Sequence, residues 1–449
     1  MPRKVAFLGG GGIRTPLVVF GINESAKKLD TEELVLYDVD AERVEMIARL
    51  GREVVRRDAG SLRITVAKSA EEAVDGASFV LNSIRVGGIT TRAQDERAAI
   101  QCGYPGQETT GPGGVAMGQR TIPVAIEHAR LVERVAPQAW IISFTNPAGL
   151  ITQAVMQNSN ARVVGICDTP TEMLHRIQLA LGAPASEVTC DYVGLNHLGW
   201  IRKIALRGED VTERVINDDA LLSQLYSAPL FDHDLIRALR LIPTEYLFFY
   251  YSRRRALENQ KRQGSTRGEQ IAQMNESLMQ RLMKLSSLND EAGALQAYVD
   301  YLNQRSGSYM KLEGEGQSAF SQDILKEDPF RTASGYHRIA LQVMNALCDS
   351  EPNRVIVNVR NGETIPEIAP NDVIETVSNI QAGRIEPLPV APLPEAVRGL
   401  VLAVKAYERA AIDAAVKGSE LDLRKAMLLY PSIGEWEPSA DLLKVMRWT

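Results

Sequence analysis

The stretch that decides the fold is Lys4-Val5-Ala6-Phe7-Leu8-Gly9-Gly10-Gly11-Gly12. Its apolar half predicts a short buried strand, and residues 15–28 after it follow a helical pattern. A strand, a glycine turn and a helix form the phosphate-binding opening of a dinucleotide fold, because glycines let the backbone approach a pyrophosphate and the helix N-terminus offers free N–H groups. The predicted cofactor-binding glycines are Gly9, Gly10, Gly11 and Gly12.

The second predicted strand, residues 33–37, ends at Asp38. A carboxylate at this place can accept hydrogen bonds from the ribose hydroxyls of NAD and would repel the 2′-phosphate of NADP, so the sequence favours NAD. The loop departs from the G-x-G-x-x-G pattern, since Arg14 stands where the third glycine is expected. On the glycines alone, a tight turn without a ligand is the alternative, and Asp38 weakens it.

Strands and helices alternate through about residue 195, which predicts an α/β fold with a Rossmann-type doubly wound parallel sheet. The later pattern is a mixed α+β, largely helical one. We therefore predict a cofactor domain over residues 1–195 and a domain for substrate, metal and oligomerisation over residues 196–449. The later predicted elements are helices at 234–240, 266–285, 334–348 and 395–417 and a strand at 354–359.

Composition limits the classes of function. The 449 residues are 45% hydrophobic and 24% charged, as in ordinary soluble proteins. The net charge of -6 argues against a general binder of nucleic acid or of an anionic membrane. No stretch reaches the roughly 18 apolar residues of a membrane span. Four cysteines without paired spacing predict reduced thiols and a cytoplasmic location.

Two apolar runs end in groups that can hold a metal ion. Cys167 follows the run at 163–166, and His197 follows the run at 193–195. Thiolate and imidazole are ligands for a borderline divalent ion, and two protein ligands leave room for a substrate to supply the rest. We predict the reaction centre at this pair.

Polar groups also follow other predicted strands. Asn146 follows the strand at 140–144 and should face the cofactor crevice at the carboxyl edge of the sheet. The glycine-dense segment 103–114 precedes a predicted helix at 119–135, which favours an ordered active-site loop.

With these motifs, nearly the whole chain resembles glycoside hydrolase family four, the NAD- and metal-dependent glycosidases, and is closest to the 6-phospho-beta-glucosidases. The motifs that carry the resemblance are GGGG, RVGG, DERAAI, GQETTGPGG, RTIPV, FTNPAG, CDTP, GLNHLGW, PTEYL and GLVLAVKAYERAA, in this order. The resemblance implies a dinucleotide domain followed by a domain like that of lactate and malate dehydrogenases.

The resemblance also implies a mechanism that differs from that of two-carboxylate glycosidases. NAD+ takes a hydride from C3 of the sugar, and the metal polarises the resulting ketone. A base then removes the C2 proton, and the C1–O bond breaks by elimination. Water adds to the unsaturated sugar, and NADH returns the hydride, so that NAD is recycled.

The family pattern assigns roles to the residues at the centre. Cys167 and His197 match the metal ligands, usually for manganese. Tyr246 matches the catalytic base, which needs the metal's positive field because a phenol normally titrates near pH 10. Asp168 is the candidate acid. The alternatives are a packed aromatic residue for Tyr246 and a strand-end cap for Asp168.

Four further residues match substrate-binding positions of the family. Arginine offers a planar fork that suits phosphate oxygens, and Arg92 and Arg267 match the arginines expected near the substrate. Glu108 and Asn146 match residues that hold sugar hydroxyls. The alternatives are solvated surface charges for the arginines, a loop hydrogen bond for Glu108 and an Asx-Pro turn for Asn146.

The motifs disagree on the anomer. Asp168 after the cysteine, and GLNHLGW, are familiar from 6-phospho-alpha-glucosidases, whereas RTIPV and FTNPAG are like the beta type. We predict a 6-phospho-beta-glucosidase, with an alpha-glucosidase as the alternative and an NAD-dependent sugar or hydroxy-acid dehydrogenase as the rival in another reaction class. The expected partners are a phosphorylated disaccharide or aryl glycoside and, in a homodimer or homotetramer, further copies of the chain.

Overall fold

The computed structural model describes residues 2–226, 228–306, 328–332 and 335–446. Within these residues, nine strands form one sheet in the order β13-β12-β11-β6-β5-β4-β1-β2-β3, and a smaller sheet has the order β10-β8-β7 with β9 beside β8. The strands are β1 (Arg3–Leu8), β2 (Thr31–Tyr37), β3 (Arg63–Val66), β4 (Ala77–Asn82), β5 (Trp140–Ser143), β6 (Arg162–Gly165), β7 (Val188–Leu195), β8 (Leu198–Leu206), β9 (Glu209–Asp210), β10 (Ile242–Pro243), β11 (Asn353–Arg360), β12 (Val373–Gln381) and β13 (Arg384–Pro387).

The strands β1 to β6 are all parallel, and their order 3-2-1-4-5-6 is that of a dinucleotide-binding fold. The strand order reverses between β1 and β4, and ligands bind at such a switch point, outside the carboxyl ends of the strands. Gly9, Ser83 and Asn146 follow β1, β4 and β5 at this edge. The predicted Rossmann-type doubly wound sheet is therefore confirmed.

Three strands from the second half of the chain extend the first sheet. β11 pairs antiparallel with β6 through Asn358 and Gly165, and β12 and β13 follow it. These later strands thus share one sheet with the predicted cofactor domain. The predicted boundary at residue 195, between a cofactor domain and a second domain, therefore stays a prediction.

The predicted strand before His197 lies in the smaller sheet and not in the cofactor sheet. β7 and β8 pair antiparallel with Leu195 opposite Leu198, which leaves Asn196 and His197 as a two-residue hairpin loop. Antiparallel strands can be joined by so short a loop, whereas parallel strands need a long crossover. The apolar run at 193–195 could not distinguish these arrangements.

The helices surround both sheets. They are α1 (Thr15–Leu29), α2 (Ala41–Arg57), α3 (Ala70–Val74), α4 (Gly88–Gln101), α5 (Gly111–Val135), α6 (Ala148–Asn158), α7 (Thr169–Ala180), α8 (Thr212–Ile216), α9 (Asp219–Leu222), α10 (His233–Leu239), α11 (Phe248–Tyr251), α12 (Arg253–Gln263), α13 (Arg267–Ser287), α14 (Glu291–Ser306), α15 (Pro329–Thr332), α16 (Tyr336–Cys348), α17 (Glu395–Lys417), α18 (Glu420–Leu429) and α19 (Glu437–Val445). Among the described helices, none combines the length and the apolar character needed to cross a lipid bilayer.

Helix α5 begins at Gly111, eight residues before the predicted start at 119. The glycine-dense segment folds back on this first turn, since a Cβ atom at Gly113 would lie 2.2 Å from the carbonyl oxygen of Gln107. A Cβ at Gly114 would lie 2.3 Å from the carbonyl oxygen of Thr109. These glycines therefore serve close packing of the loop on the helix.

The later helices also brace the glycine turn. Helices α1 and α2 share a hydrophobic cluster with α13 and α14, in which Phe20 and Tyr298 are buried. The hydroxyl of Tyr298 donates a hydrogen bond to the carbonyl oxygen of Ile13 at 2.8 Å. This contact ties the start of α1 to the helical part of the chain, which fixes the turn that precedes it.

Candidate active site

Cys167 and His197 meet at the carboxyl edge of the large sheet. Cys167 lies two residues beyond β6, and His197 lies at the tip of the β7–β8 hairpin. The sulfur atom of Cys167 is 3.4 Å from Nε2 of His197. The two residues are only 1% and 3% exposed. The predicted pair is thus brought together in a buried position.

This geometry fits two ligands of one metal ion. Zinc–sulfur and zinc–nitrogen bonds of about 2.3 and 2.0 Å, taken as a guide for a divalent ion and meeting at roughly 90–110°, place the two atoms about 3.1–3.5 Å apart. In the described part of the chain, no group of three or more His, Cys, Asp or Glu side chains could hold a metal. The Cys167–His197 pair is thus the candidate place for metal binding, with two protein ligands as the sequence predicts.

The protonation states also suit a metal centre. Burial lowers the pKa of His197 to about 3, so its imidazole is neutral and has a lone pair for a cation. Burial, together with the charges of Glu375 and Asp168, raises the pKa of Cys167 well above its usual value. The thiol therefore needs a nearby positive charge to ionise, and a bound divalent ion provides it.

Tyr246 lies directly against the pair. Its ring stacks on the His197 ring with centroids 3.7 Å apart and an angle of 11° between the planes. Burial raises the pKa of the Tyr246 phenol well above its usual value, and the negative charge of Glu245 adds a smaller rise. A phenol in this position can act as a base only when a cation beside it stabilises the phenolate.

Asp168 lies between the glycine turn and helix α16. Burial raises the pKa of its carboxyl group, and the positive charge of Arg14 opposes the rise. Tyr336 is hydrogen-bonded to Asp168 and accepts a hydrogen bond of 3.4 Å from the side-chain nitrogen of Asn146. A carboxyl group with a raised pKa keeps its proton at higher pH, as a general acid requires.

The predicted sugar-binding residue Glu108 belongs to a buried charge cluster. One of its oxygens lies 2.5 Å from Nη2 of Arg85, and the other pairs with Arg92. Arg92 also pairs with Glu96 at 2.7 Å. Burial would raise the pKa of Glu108, but Arg85 and Arg92 outweigh it and lower the pKa to about 2. The charge of Glu108 acts on His197, so this cluster of fixed, opposite charges lies near the Cys167–His197 pair.

Arg267 lies at the first position of α13, where Gly268 N–H donates to Glu96 at 2.6 Å. The guanidinium of Arg267 donates a hydrogen bond of 3.5 Å to the backbone carbonyl oxygen of Arg305. The side chain of Arg305 is half-buried and interacts electrostatically with Arg92 and Glu108. Positive charge from α4, α13 and α14 thus converges on one side of the site.

The glycine turn and Asp38 are in contact. Gly11 N–H donates to Oδ2 of Asp38 at 2.9 Å, and Arg43 donates to the carbonyl oxygen of Gly11 at 2.8 Å. Gly9 has φ +87°, and a Cβ atom there would lie 2.3 Å from the carbonyl oxygen of Ser83. Glycine is therefore required at this position, and the turn sits between β1 and β4 where a pyrophosphate would bind.

Sequence reasoning left out several residues of this neighbourhood. Arg14 was unassigned, and Arg85, Arg305 and Tyr336 were not singled out. RVGG contains Arg85 and follows a predicted strand, so its position could have indicated a role. Arg305 and Tyr336 lie on helices far along the chain, and only tertiary packing brings them to the sheet edge.

The fold and the buried Cys167–His197 pair together indicate a class: a Rossmann-type enzyme whose residues could hold a metal ion beside its dinucleotide crevice. Family models give the particular family. The family 4 glycosyl hydrolase model matches residues 4–183, and the model of its C-terminal domain matches residues 192–433. The chain belongs to family 4 of the glycosyl hydrolases.

Relatives that match nearly the whole chain include 6-phospho-beta-glucosidases and a phospho-alpha-glucosidase. A 6-phospho-beta-glucosidase of Escherichia coli (strain K12) is 28% identical over 452 residues, which covers 98% of this chain and 93% of that protein. The solved 6-phospho-beta-glucosidase of Thermotoga maritima, with manganese, NAD+ and glucose-6-phosphate, has a TM-score of 0.80 and 25% identity. The match covers 99% of this chain and 97% of that one.

Two other matches concern the alpha-type alternative and the predicted likeness to dehydrogenases. A 6-phospho-alpha-glucosidase of Lacticaseibacillus paracasei is 34% identical over 199 residues, which is 44% of this chain and 45% of that protein. The malate dehydrogenase of Plasmodium falciparum has a TM-score of 0.52 at 13% identity and covers 92% of this chain and 99% of that one. The predicted likeness to such dehydrogenases is thus confirmed at the level of the fold.

Proposed function

We propose that this chain is a 6-phospho-beta-glucosidase that uses NAD+ and Mn2+. The observation that carries the proposal is the buried Cys167–His197 pair with Tyr246 stacked on the histidine ring. An enzyme that only transfers a hydride needs no pair of metal-binding side chains beside a phenol. A glycosidase that works through C2 deprotonation needs both a cation and a base at one place. Full-length similarity to 6-phospho-beta-glucosidases supports the substrate class.

When bound, NAD+ would supply reversible hydride transfer at C3 of the sugar, and a divalent metal would supply positive charge beside the carbon that loses its proton. Cys167 and His197 hold the metal. Tyr246 takes the C2 proton, since its ring already lies against the metal histidine. Asp168 gives a proton to the leaving oxygen, and burial raises the pKa of its carboxyl group in the direction that this role requires. Gly9 to Gly12 and Asp38 bind NAD+, with the carboxylate on the ribose.

The charged side of the site takes the phosphorylated sugar. Arg267 and Arg92 bind the 6-phosphate, and arginine forks suit its oxygens. Glu108 accepts hydrogen bonds from the sugar hydroxyls, and Asn146 can accept hydrogen bonds from them or donate to them. Arg92 has a second task, since its ion pairs with Glu96 and Glu108 fix the orientation of the Glu108 carboxylate.

The direct test compares p-nitrophenyl alpha- and beta-glucoside 6-phosphates and their unphosphorylated forms, with NAD+, Mn2+ and a reductant. We expect release of p-nitrophenol from the beta-6-phosphate with no net NADH absorbance. Stoichiometric build-up of NADH would instead identify a dehydrogenase. Turnover of only unphosphorylated glucosides would contradict the roles of the arginines.

A 6-phospho-alpha-glucosidase is the second candidate. Asp168 directly after the metal cysteine and the 34% identity to an alpha-type relative favour it. Exclusive turnover of the alpha-6-phosphate in the same assay would select it. The metal, NAD and phosphate assignments would then stand, and only the anomer would change.

Two further expectations accompany the proposal. The segment 1–195 forms the cofactor unit and 196–449 the substrate, metal and oligomerisation unit, although one proposed metal ligand, Cys167, belongs to the first. The enzyme works as a homodimer or homotetramer in the cytoplasm, where its free thiols stay reduced. Light scattering after gel filtration measures the subunit number, and a monomeric mass would contradict the expectation.

A further inference from the structure

A buried carboxylate lies behind the hairpin that carries His197. Glu375 is on β12 and is only 1% exposed. The Tyr192 hydroxyl donates to one of its oxygens at 2.6 Å. The side-chain nitrogens of Asn196 and Asn358 donate to the other at 3.2 and 2.9 Å. Three donors directed at both oxygens suit an ionised carboxylate, which accepts hydrogen bonds and donates none.

Asn196 connects this carboxylate to the metal histidine. It precedes His197 in the two-residue loop, and its side-chain oxygen accepts a hydrogen bond of 3.3 Å from Gly149 N–H. Both ends of the Asn196 amide are therefore held, one by Glu375 and one by the start of α6. His197 has φ +60°, a left-handed conformation that a non-glycine residue keeps only when its surroundings hold it.

In the described part of the chain, Glu375 forms no ion pair with a basic side chain. The buried ion pairs there involve other carboxylates. Glu375 acts electrostatically on Cys167 and on Asp168, so it lies near the proposed metal centre. A buried anion without a counter-charge is costly, and burial accordingly raises the pKa of the Glu375 carboxyl group. A divalent cation at Cys167 and His197 would supply the missing positive charge.

We propose that Glu375 is a positioning residue for the metal centre. It holds Asn196, and through Asn196 it fixes the orientation of His197, while its negative charge increases the affinity of the site for a divalent cation. Partners behind a ligand commonly fix its orientation in this way. The inference rests on the proposed metal site of the preceding subsection.

The test measures Mn2+ binding directly, without substrate or NAD+, from the electron paramagnetic resonance signal of free Mn2+. Glu375→Gln keeps the size of the side chain and removes its charge. We expect its Mn2+ dissociation constant to rise by about 10- to 100-fold. In EDTA its unfolding temperature should equal or exceed that of the wild type, because the unpaired buried charge is gone.

Thr376→Val is the matched control, since Thr376 is the next residue of β12, equally buried, and points to the opposite face of the strand. It should leave the Mn2+ dissociation constant unchanged. Equal weakening in Thr376→Val and Glu375→Gln, or wild-type binding by Glu375→Gln, would overturn the inference.

A second variant keeps the test decisive if Glu375→Gln does not fold. Asn196→Ala breaks the connection and retains the charge, and it should also weaken Mn2+ binding. If both single variants fold, their combination should weaken binding by less than the product of the two single effects, because both act through one connection. Wild-type affinity in Asn196→Ala would overturn the role of the connection. Absence of Mn2+ binding by the wild type would instead overturn the proposed metal site itself.

Discussion

The sulfur of Cys167 lies 3.4 Å from Nε2 of His197, although the two residues belong to different sheets. Cys167 follows a parallel strand of the nine-stranded sheet described here, and His197 is at the turn of an antiparallel hairpin. Their meeting creates a soft and a borderline ligand at one point, beside the crevice that the glycine turn defines. The proposed chemistry of the site depends on this distance.

The metal pair gives the first prediction. Cys167→Ser replaces a thiol that can ionise beside a cation with a hydroxyl that remains protonated. We expect Mn2+ binding to weaken by at least about tenfold and turnover to be lost at low Mn2+, with partial recovery at high Mn2+. Titration with Mn2+ in binding and activity assays measures both effects. Cys348→Ser, at the end of α16, is the control, and equal effects of the two changes would contradict the assignment.

Tyr246 gives the second prediction. Tyr246→Phe keeps the ring that stacks on His197 and removes only the hydroxyl. We expect kcat to fall by about 10²- to 10⁴-fold, the usual contribution of a general base, while Mn2+ and NAD+ still bind. Steady-state kinetics and equilibrium binding of the two cofactors test this. Tyr251→Phe, in the same aromatic run, should keep normal kcat. An active Tyr246→Phe enzyme would show that the phenol is only a packed aromatic group.

Arg267 gives the third prediction. Arg267→Met keeps the length of the side chain and removes a charged donor from the proposed phosphate site. We expect KM for the 6-phosphorylated glucoside to rise by about 10- to 100-fold, as for loss of charged hydrogen bonds. Turnover of unphosphorylated glucoside should not change. Arg262→Met, on the exposed last turn of α12, is the control. An equal loss on both substrates would argue against a phosphate contact.

Glu108 gives a prediction about stability and pH. Its pKa in the folded protein is about 2 against an ordinary 4.5, so its ionised form stabilises the fold. This stabilisation is complete above about pH 4.5 and is lost as the pH falls towards 2. Glu108→Gln should lower the free energy of unfolding at pH 7 by about 3 kcal/mol, since it leaves buried arginine charge uncompensated.

Urea unfolding of both proteins between pH 7 and pH 3 tests the sign. The difference between wild type and Glu108→Gln should shrink across the acid range. Glu127→Gln, at an exposed position of α5, should leave the curve unchanged at every pH. A difference that stays constant from pH 7 to pH 3 would mean that Glu108 is not held ionised by Arg85 and Arg92.

Local pattern was sufficient for the carboxyl edge of the sheet, where we propose that the cofactor binds. The glycine turn after β1 and Asp38 after β2 follow from a short apolar run and the residue that ends it, because parallel strands direct their carboxyl ends to one edge. The early start of α5 was missed, since glycine is a poor helix former and only contact with the preceding loop explains Gly113 and Gly114.

The sequence by itself determined the α/β class, the order of the motifs and the residue types that we propose to hold a metal or move a proton, since these depend on short patterns and side-chain chemistry. Only the tertiary structure decided that His197 turns in from a separate hairpin, that Arg85 and Arg92 lower the pKa of Glu108, and that Glu375 lies behind Asn196. These relationships join residues far apart in the chain, and their distances are set by packing that no local pattern encodes.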